Sequence, residues 1–190
     1  EKYLKEAVQL KPDDSQVHNH YGCALLTLDK FSEAEQAFRK SIELNSSNAD
    51  AFFNLAQLIS RDKILKQSKN DEEREKIASE AVELLNKAVT LNPKQLEWKV
   101  KLAGALLQAG QEELAGKVLK FILQQKIDHP EVYFLQSRIQ RGRSAFHSLQ
   151  KSLLLKPDAK SALNNFGFWN LTAEKKFDAL IWFKRAMISE

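Results

Sequence analysis

Residues 15–48 read SQVHNHYGCALLTLDKFSEAEQAFRKSIELNSSN, and the placing of small and large apolar side chains in this stretch decides the fold. In its second half Ala34, Ala37, Phe38 and Ser41, with Ile42 alongside, recur at the spacing that puts them on one face of a helix. Its first half, with Tyr21, Gly22 and Leu25, has the same periodicity. The stretch is therefore predicted to be a helix, a turn and a second helix.

Moving outward, the small residue of the second helix recurs as Ala34, Ala81, Ala115, Ala145 and Ala179, at successive separations of 47, 34, 30 and 34 in the numbering. Four positions on from each stands a large apolar residue: Phe38, Leu85, Leu119, Leu149 and Phe183. Three further on come Ser41, Ala88, Ile122, Ser152 and Ala186. One repeat length back from Phe38 and Ser41 stand Leu4 and Ala7, so the chain opens inside the second helix of another unit. A second series, Gly22, Ala56, Ala103, Ser137 and Gly167, marks the first helix of each unit. The step from each alanine to the next member of that series is constant: Ala34 to Ala56, Ala81 to Ala103, Ala115 to Ser137, and Ala145 to Gly167. The step from the series to the following alanine is 12, 25, 12, 8 and 12. All length variation therefore falls in the turn within a unit, as one insertion and one deletion. Leu10-Lys11-Pro12, Leu91-Asn92-Pro93 and Leu155-Lys156-Pro157 close units, because proline lacks an N–H and ends a helix before the next begins. Asp13, Asp14, Ser15 and Asp158, which follow these prolines, are candidate helix caps.

On these residues the chain resembles the tetratricopeptide repeat family, whose unit is about 34 residues of paired helices. Tyr21-Gly22, Leu25, Phe31, Ala34, Phe38 and Leu44 fill that family's apolar slots, and the resemblance runs through essentially all 190 residues. It implies an all-α, right-handed superhelical solenoid of antiparallel helix pairs, about five and a half repeats in a single domain over 1–190. Residues 1–14 would be the second helix of a partial repeat, followed by repeats at 15–48, 49–95, 96–129, 130–159 and 160–190. The lack of a polar closing helix implies a fragment of a longer protein. Ser46 and Ile127 replace the closing proline, Lys99 takes an aromatic slot and Gln136 a leucine slot, which bears on packing in the third and fourth units.

The slots have a physical reason. Two helices of about a dozen residues are marginal alone, so each must bury its apolar stripe on its partner and on the next unit. Small residues mark the closest approaches, and Phe38, Leu85, Leu119 and Phe183 fill the space between layers. The insertion, within residues 60–78, ends in Asn70 followed by Asp71, Glu72 and Glu73, an acceptor and three acids suited to a helix start. It predicts a lengthened second helix over 71–91 after a loop near 66–70, and is either a solvated segment or a docking surface.

Composition narrows the function. Lys and Arg number 29 against 25 Asp and Glu, a formal +4, which does not favour a nucleic-acid binder. Arg138, Arg141 and Arg143 cluster at the shortened turn near Gly142 without the interleaved aromatics of a nucleic-acid stripe. Cys23, the single cysteine, can form neither an intrachain disulfide nor a zinc cluster. No apolar run reaches about 18 residues and the start lacks a leader pattern, so a cytoplasmic or nuclear protein without a membrane span is expected. His18 and His20 point to different helix faces and His129 and His147 are isolated. Gly104, Gly110 and Gly116 match no phosphate or dinucleotide loop. No enzyme activity, cofactor or metal is expected.

The resemblance implies that first helices line a concave groove, with Asn19, His20, Cys23, Phe53, Asn54, Gln57, Arg61, Glu97, Val100, Lys101, Gln108, Phe134, Arg138, Arg141, Asn164, Asn165 and Phe168 in groove-facing slots. From these the candidate peptide-binding set is Asn19, Phe53, Asn54, Gln57, Arg61, Lys101, Phe134, Arg138, Asn164, Asn165 and Phe168. Asparagine amides offer a donor and an acceptor to an extended peptide backbone, the phenylalanines offer apolar pockets, and the cations answer acidic groups. Chaperone-binding members grip a terminal carboxylate with five polar residues; Asn54 and Lys101 match, but Asn19 and Cys23 replace the first lysine and asparagine and Glu97 takes a basic slot. Asn54 and Asn165 also resemble the asparagine ladder of sugar-transferring enzymes, interrupted here by Lys101 and Leu135. The expected function is a protein-interaction scaffold for another protein or extended peptide. Its rivals are a substrate-targeting arm of a multidomain enzyme and self-association through the C-terminal end, where Ile181, Trp182 and Phe183 lack a following unit.

Overall fold

The computed structural model describes residues 2–61 and 70–189, which form eleven helices and no strand. They are α1 (Lys2–Leu10), α2 (Ser15–Thr27), α3 (Phe31–Leu44), α4 (Ala49–Ile59), α5 (Asp71–Leu91), α6 (Leu96–Gln108), α7 (Glu112–Gln124), α8 (Pro130–Ile139), α9 (Gly142–Leu155), α10 (Lys160–Thr172) and α11 (Lys176–Ile188). The chain divides into two compact units, Glu1–Gln111 and Glu112–Glu190. The first holds α1 to α6 and the second α7 to α11, so the repeat expected at 96–129 contributes one helix to each.

In the first unit α2 packs on α3 and α4 on α5, with α3 against α4 joining the pairs. Leu25, Ala34, Ala37, Phe38, Leu55, Leu58, Ile59 and Ala81 form its buried cluster. Of the two series of small residues, Gly22, Ala56, Ala103, Ala34, Ala81, Ala115, Gly167 and Ala179 are buried where close approach was expected, whereas Ser137 and Ala145, which flank the shortened turn, are only half-buried. Gly22 shows the constraint most sharply, since a Cβ added there would stand 2.6 Å from Cε1 of Phe38. Gly167 faces Phe183 in the same way at 2.6 Å. In the second unit α8 packs on α9 and α10 on α11, around Leu149, Ala162 and Phe166.

Two kinds of turn connect the helices. Within a repeat, Asp29, Gly110 and Glu174 take left-handed backbone (φ 56°, 71° and 61°), and the following N–H reaches back to the carbonyl five positions earlier: Lys30 to Leu25, Gln111 to Leu106, and Lys175 to Asn170. That is the Schellman closure, which satisfies carbonyls the helix end leaves bare. The shortened turn has no room for it. There α8 ends at Ile139, Arg141 is extended, and Gly142 takes φ 56° as α9 begins. Between repeats, Pro12, Pro93 and Pro157 sit second in turns closed by a bond from the fourth residue's N–H to the first residue's carbonyl, with Ser46 in the same place in the turn from Asn45 to Asn48.

The caps only partly follow the sequence reading. Asp14 accepts from the Gln16 and Val17 N–H groups, and Asn70 Oδ1 accepts from Glu73 N at 2.9 Å, starting α5 where predicted. Asp158 is not a cap. Ala159 occupies the capping position of α10 without a side-chain bond, because the proline turn puts Asp158 at its exposed third residue. Residues 71–76 of α5 are exposed at every position, and burial begins only further along the helix. The loop expected near 66–70 lies, up to residue 69, outside the described residues.

A closed polar network joins α2, α3 and the turn before α4. Ser15 Oγ donates to the Ser41 carbonyl at 2.9 Å and Ser41 Oγ to the Ser15 carbonyl at 2.8 Å. Asn48 Nδ2 donates to both hydroxyl oxygens at 2.8 and 3.0 Å, while its Oδ1 caps α4 through Ala51 N. Ser152 occupies the repeat position of Ser41, but the counterparts of Ser15 and Asn48 are Pro130 and Ala159, which have no side-chain hydrogen to give. Ser152 Oγ receives no bond from these positions and is buried without a partner. An unmade buried hydroxyl bond costs about 1–3 kcal/mol, so Ser152→Ala should raise the urea midpoint of unfolding, and a lowered midpoint would contradict the assignment.

Candidate functional site

Each unit presents its own set of first-helix residues. In the first, Asn54 of α4 is half-buried and its Nδ2 donates to Asn19 Oδ1 at 3.0 Å and to Cys23 Sγ at 3.3 Å. Both amide hydrogens are thus held by α2, and no described residue donates to Asn54 Oδ1. Asn19 is only 4% exposed, and its Oδ1 is engaged by Asn54. Burial, and then the charge of Asp50, push the Cys23 thiol above its ordinary pKa, which keeps it protonated and unreactive. One turn on from Asn54, Gln57 is exposed, as is Arg61, whose guanidinium lies 5.4 Å from the centre of the Phe31 ring.

Phe53 stacks on Trp98 of α6 with centroids 4.9 Å apart and an 18° interplanar angle. It is half-buried, one side of the ring engaged by a residue that is itself buried. Lys101, Glu97 and Gln108 are exposed on α6. Val100 is not: at 1% exposure it belongs to the core and does not take the groove-facing slot that the resemblance implied.

In the second unit Arg138 and Arg141 are exposed, and Asn164 and Asn165 are half-buried on α10. Phe134 packs against the Leu149, Ala162 and Phe166 cluster. Phe168 is 60% exposed and meets Phe183 edge-on at 5.3 Å. Gln136, in a leucine slot, is accommodated with Gln140 by a hydroxyl, since Ser148 Oγ lies 3.4 Å from Gln136 Oε1 and 2.7 Å from Gln140 Oε1. Of the three C-terminal apolar residues, Ile181 is 45% exposed, whereas Trp182 and Phe183 are half-buried.

The second unit also holds a cleft that the repeat pattern does not announce. It has a volume of about 490 Å³ and is lined by His147, Gln150, Lys151, Leu153 and Leu154 of α9, by Pro157 and Phe166, and by Trp182 and Arg185 of α11. A run of rings stands beneath it: Trp169 on Phe146 at 4.2 Å, Phe146 on Phe166 at 5.0 Å, and Trp182 edge-on to Phe166 at 4.7 Å. The density of Phe and Trp over 146–182 is the only signal in the sequence, and it does not say which rings meet.

Among the described residues no group of three or more His, Cys, Asp and Glu is placed to hold a metal ion. None of the described helices is long and apolar enough to cross a membrane.

Comparisons with known proteins agree with the repeat reading. A family model described as a tetratricopeptide repeat matches residues 75–139, and another of the same description matches residues 15–48, the stretch from which the reading began. The protein O-mannosyl-transferase TMTC3 of Homo sapiens is 26% identical over 187 residues, 93% of this chain and 19% of that protein. The tetratricopeptide repeat-containing protein trd-1 of Caenorhabditis elegans is 26% identical over 132 residues, 69% of this chain and 15% of that protein. The chain therefore spans less than a fifth of the length of these curated relatives. Among solved structures, the APC/C hetero-tetramer Cut9-Hcn1 matches with a TM-score of 0.76 at 17% identity, covering 98% of this chain and 36% of that one. YrrB, described as a TPR protein with an unusual peptide-binding site, matches with a TM-score of 0.66 at 18% identity over 97% and 90% of the two chains. Human IFIT1, solved as a dimer with PPP-AAAA, matches with a TM-score of 0.65 at 16% identity over 98% and 50%.

Proposed function

The chain belongs to the tetratricopeptide repeat family, and from that premise we propose that it is a non-catalytic interaction scaffold whose first-helix faces receive an extended segment of another polypeptide. The observation that carries this reading is Asn54. Its amide is held rigidly by Asn19 and Cys23, and its carbonyl oxygen is left to accept a hydrogen bond from outside. A preoriented acceptor costs little ordering when a peptide N–H arrives. Exposed Gln57, Arg61 and Lys101 in the first unit, and exposed Arg138 and Phe168 with half-buried Asn164 and Asn165 in the second, supply further polar, cationic and aromatic contacts, and Phe53 and Phe134 form apolar walls.

Replacing Asn54 and Asn165 by alanine together tests it. Partner capture by the double variant should weaken by about tenfold or more, from two lost hydrogen bonds of roughly 1 kcal/mol each, with helicity by circular dichroism unchanged. Undiminished capture of the same partner would place the contact surface elsewhere.

A second reading is favoured by one comparison. Because 93% of the chain aligns with part of a protein O-mannosyl-transferase, the array would serve as the arm that selects substrates for a catalytic domain outside these residues. Both readings assign the recognition to the same helix faces. Membership of a cytoplasmic complex and self-association through the exposed apolar residues of α11 are further parts of the proposal; the second would appear as concentration-dependent mass in light scattering.

A further inference from the structure

We propose that the cleft between α9 and α11 is a second docking site, separate from the first-helix faces, and that its occupant is an acidic polypeptide segment carrying a large apolar side chain. The floor is aromatic and aliphatic: Phe166, Trp182, Leu153 and Pro157, with Leu154 standing 81% exposed at its edge. The titratable side chains around it are His147, Lys151 and Arg185, with no carboxylate among the lining residues. Arg185 lies 4.7 Å from the centre of the Trp182 ring, and its Nη2 stands 3.4 Å from the Pro157 carbonyl oxygen, a weak bond at most. Ring contact orients the guanidinium while its charge stays uncompensated, since no described carboxylate pairs with it or with Lys151. His147 Nδ1 donates to the Arg143 carbonyl at 2.8 Å, which fixes its ring.

Positive charge is concentrated on the three helices that carry this cleft, and Lys151 and Arg185 bring two of those charges to its lining. Residues 142–189 carry eight Lys and Arg against three Asp and Glu, a net +5, more than the +4 of the entire chain. The remaining residues are close to neutral, so an anionic segment is steered to these helices in particular. Charge alone would suit any polyanion. The aromatic floor selects among them, because an apolar side chain gains from being covered there and a phosphate chain or a lipid headgroup does not.

The test uses the full chain and a fluorescein-labelled peptide with a leucine and a phenylalanine set among aspartates and glutamates. A control peptide has both apolar residues replaced by serine at the same net charge. Anisotropy should show the first binding at least tenfold tighter than the control. Lys151→Glu with Arg185→Glu should abolish it, and Leu154→Ser should weaken it several-fold, while Asn54→Ala with Asn165→Ala leaves it unchanged. Leu154 is exposed, so its variant keeps the test valid should the charge-reversed protein unfold in the accompanying thermal melt. Equal binding of the two peptides, or full binding by Leu154→Ser, would overturn the proposal. So would tighter binding of a single-stranded oligoadenylate or of phosphatidylserine vesicles than of the apolar acidic peptide. Loss of binding in the Asn54 and Asn165 variant alone would overturn it too, referring the peptide to the first-helix face instead.

Discussion

Phe38→Ala is expected to lower the stability of the first unit by about 3–5 kcal/mol, the range for removing a fully buried phenylalanine from a packed core. Phe38 is 0% exposed and fills the space that Gly22 leaves between α2 and α3. Phe183 meets Gly167 at the same distances but is only half-buried, so Phe183→Ala should cost distinctly less. The two pairs therefore separate ring contact from ring burial. Gly22→Ala supplies a further check. Alone it forces the Phe38 ring aside and should cost about 1–3 kcal/mol, and on the Phe38→Ala background most of that cost should vanish. Urea melts of the parent, the two single variants and the double variant give the coupling; additive effects would mean that the glycine is needed for something other than the ring.

Asn48→Ala is the second large expectation, at about 2–4 kcal/mol. It removes the cap of α4, for which losses are typically about 1 kcal/mol, and withdraws two hydrogen bonds from the buried Ser15 and Ser41 hydroxyls. Those hydroxyls can still donate to each other's carbonyl, so the loss stays finite. Its direction is opposite to that expected for Ser152→Ala in the second unit, although Ser41 and Ser152 occupy one repeat position. The two outcomes together would mean that polar residues in this slot stabilise only as a set of three. A urea midpoint for Asn48→Ala indistinguishable from that of the parent protein would show that the network carries no weight.

Much of the fold was legible because a repeat states each packing rule several times. The spacing of Ala34, Ala81, Ala115 and Ala179 recurs with a large residue four positions on, and a single accident at one copy, such as Gln136, does not erase it. The start of α5 was legible for a local reason, an acceptor at Asn70 next to three acids. Asp158 misled because a cap depends on which residue the preceding turn leaves extended, and Pro157 made that residue Ala159. Val100 and Asn19 illustrate a second limit. A slot in a family pattern names a helix face to within about a turn, whereas burial depends on the neighbour, which for Asn19 is Asn54 of α4. The cleft was not legible at all, since Phe146, Phe166 and Trp182 come from three different helices and only their packing brings the rings together.

The way Asn54 is held has a consequence for whatever lies against it. With both of its hydrogens turned inward, the amide can greet only a guest that brings a hydrogen of its own. A prolyl residue at that point, having none, would leave that oxygen unanswered. On the scaffold reading proposed above, one position of a bound strand would be read through its main chain alone, without contact to its side chain.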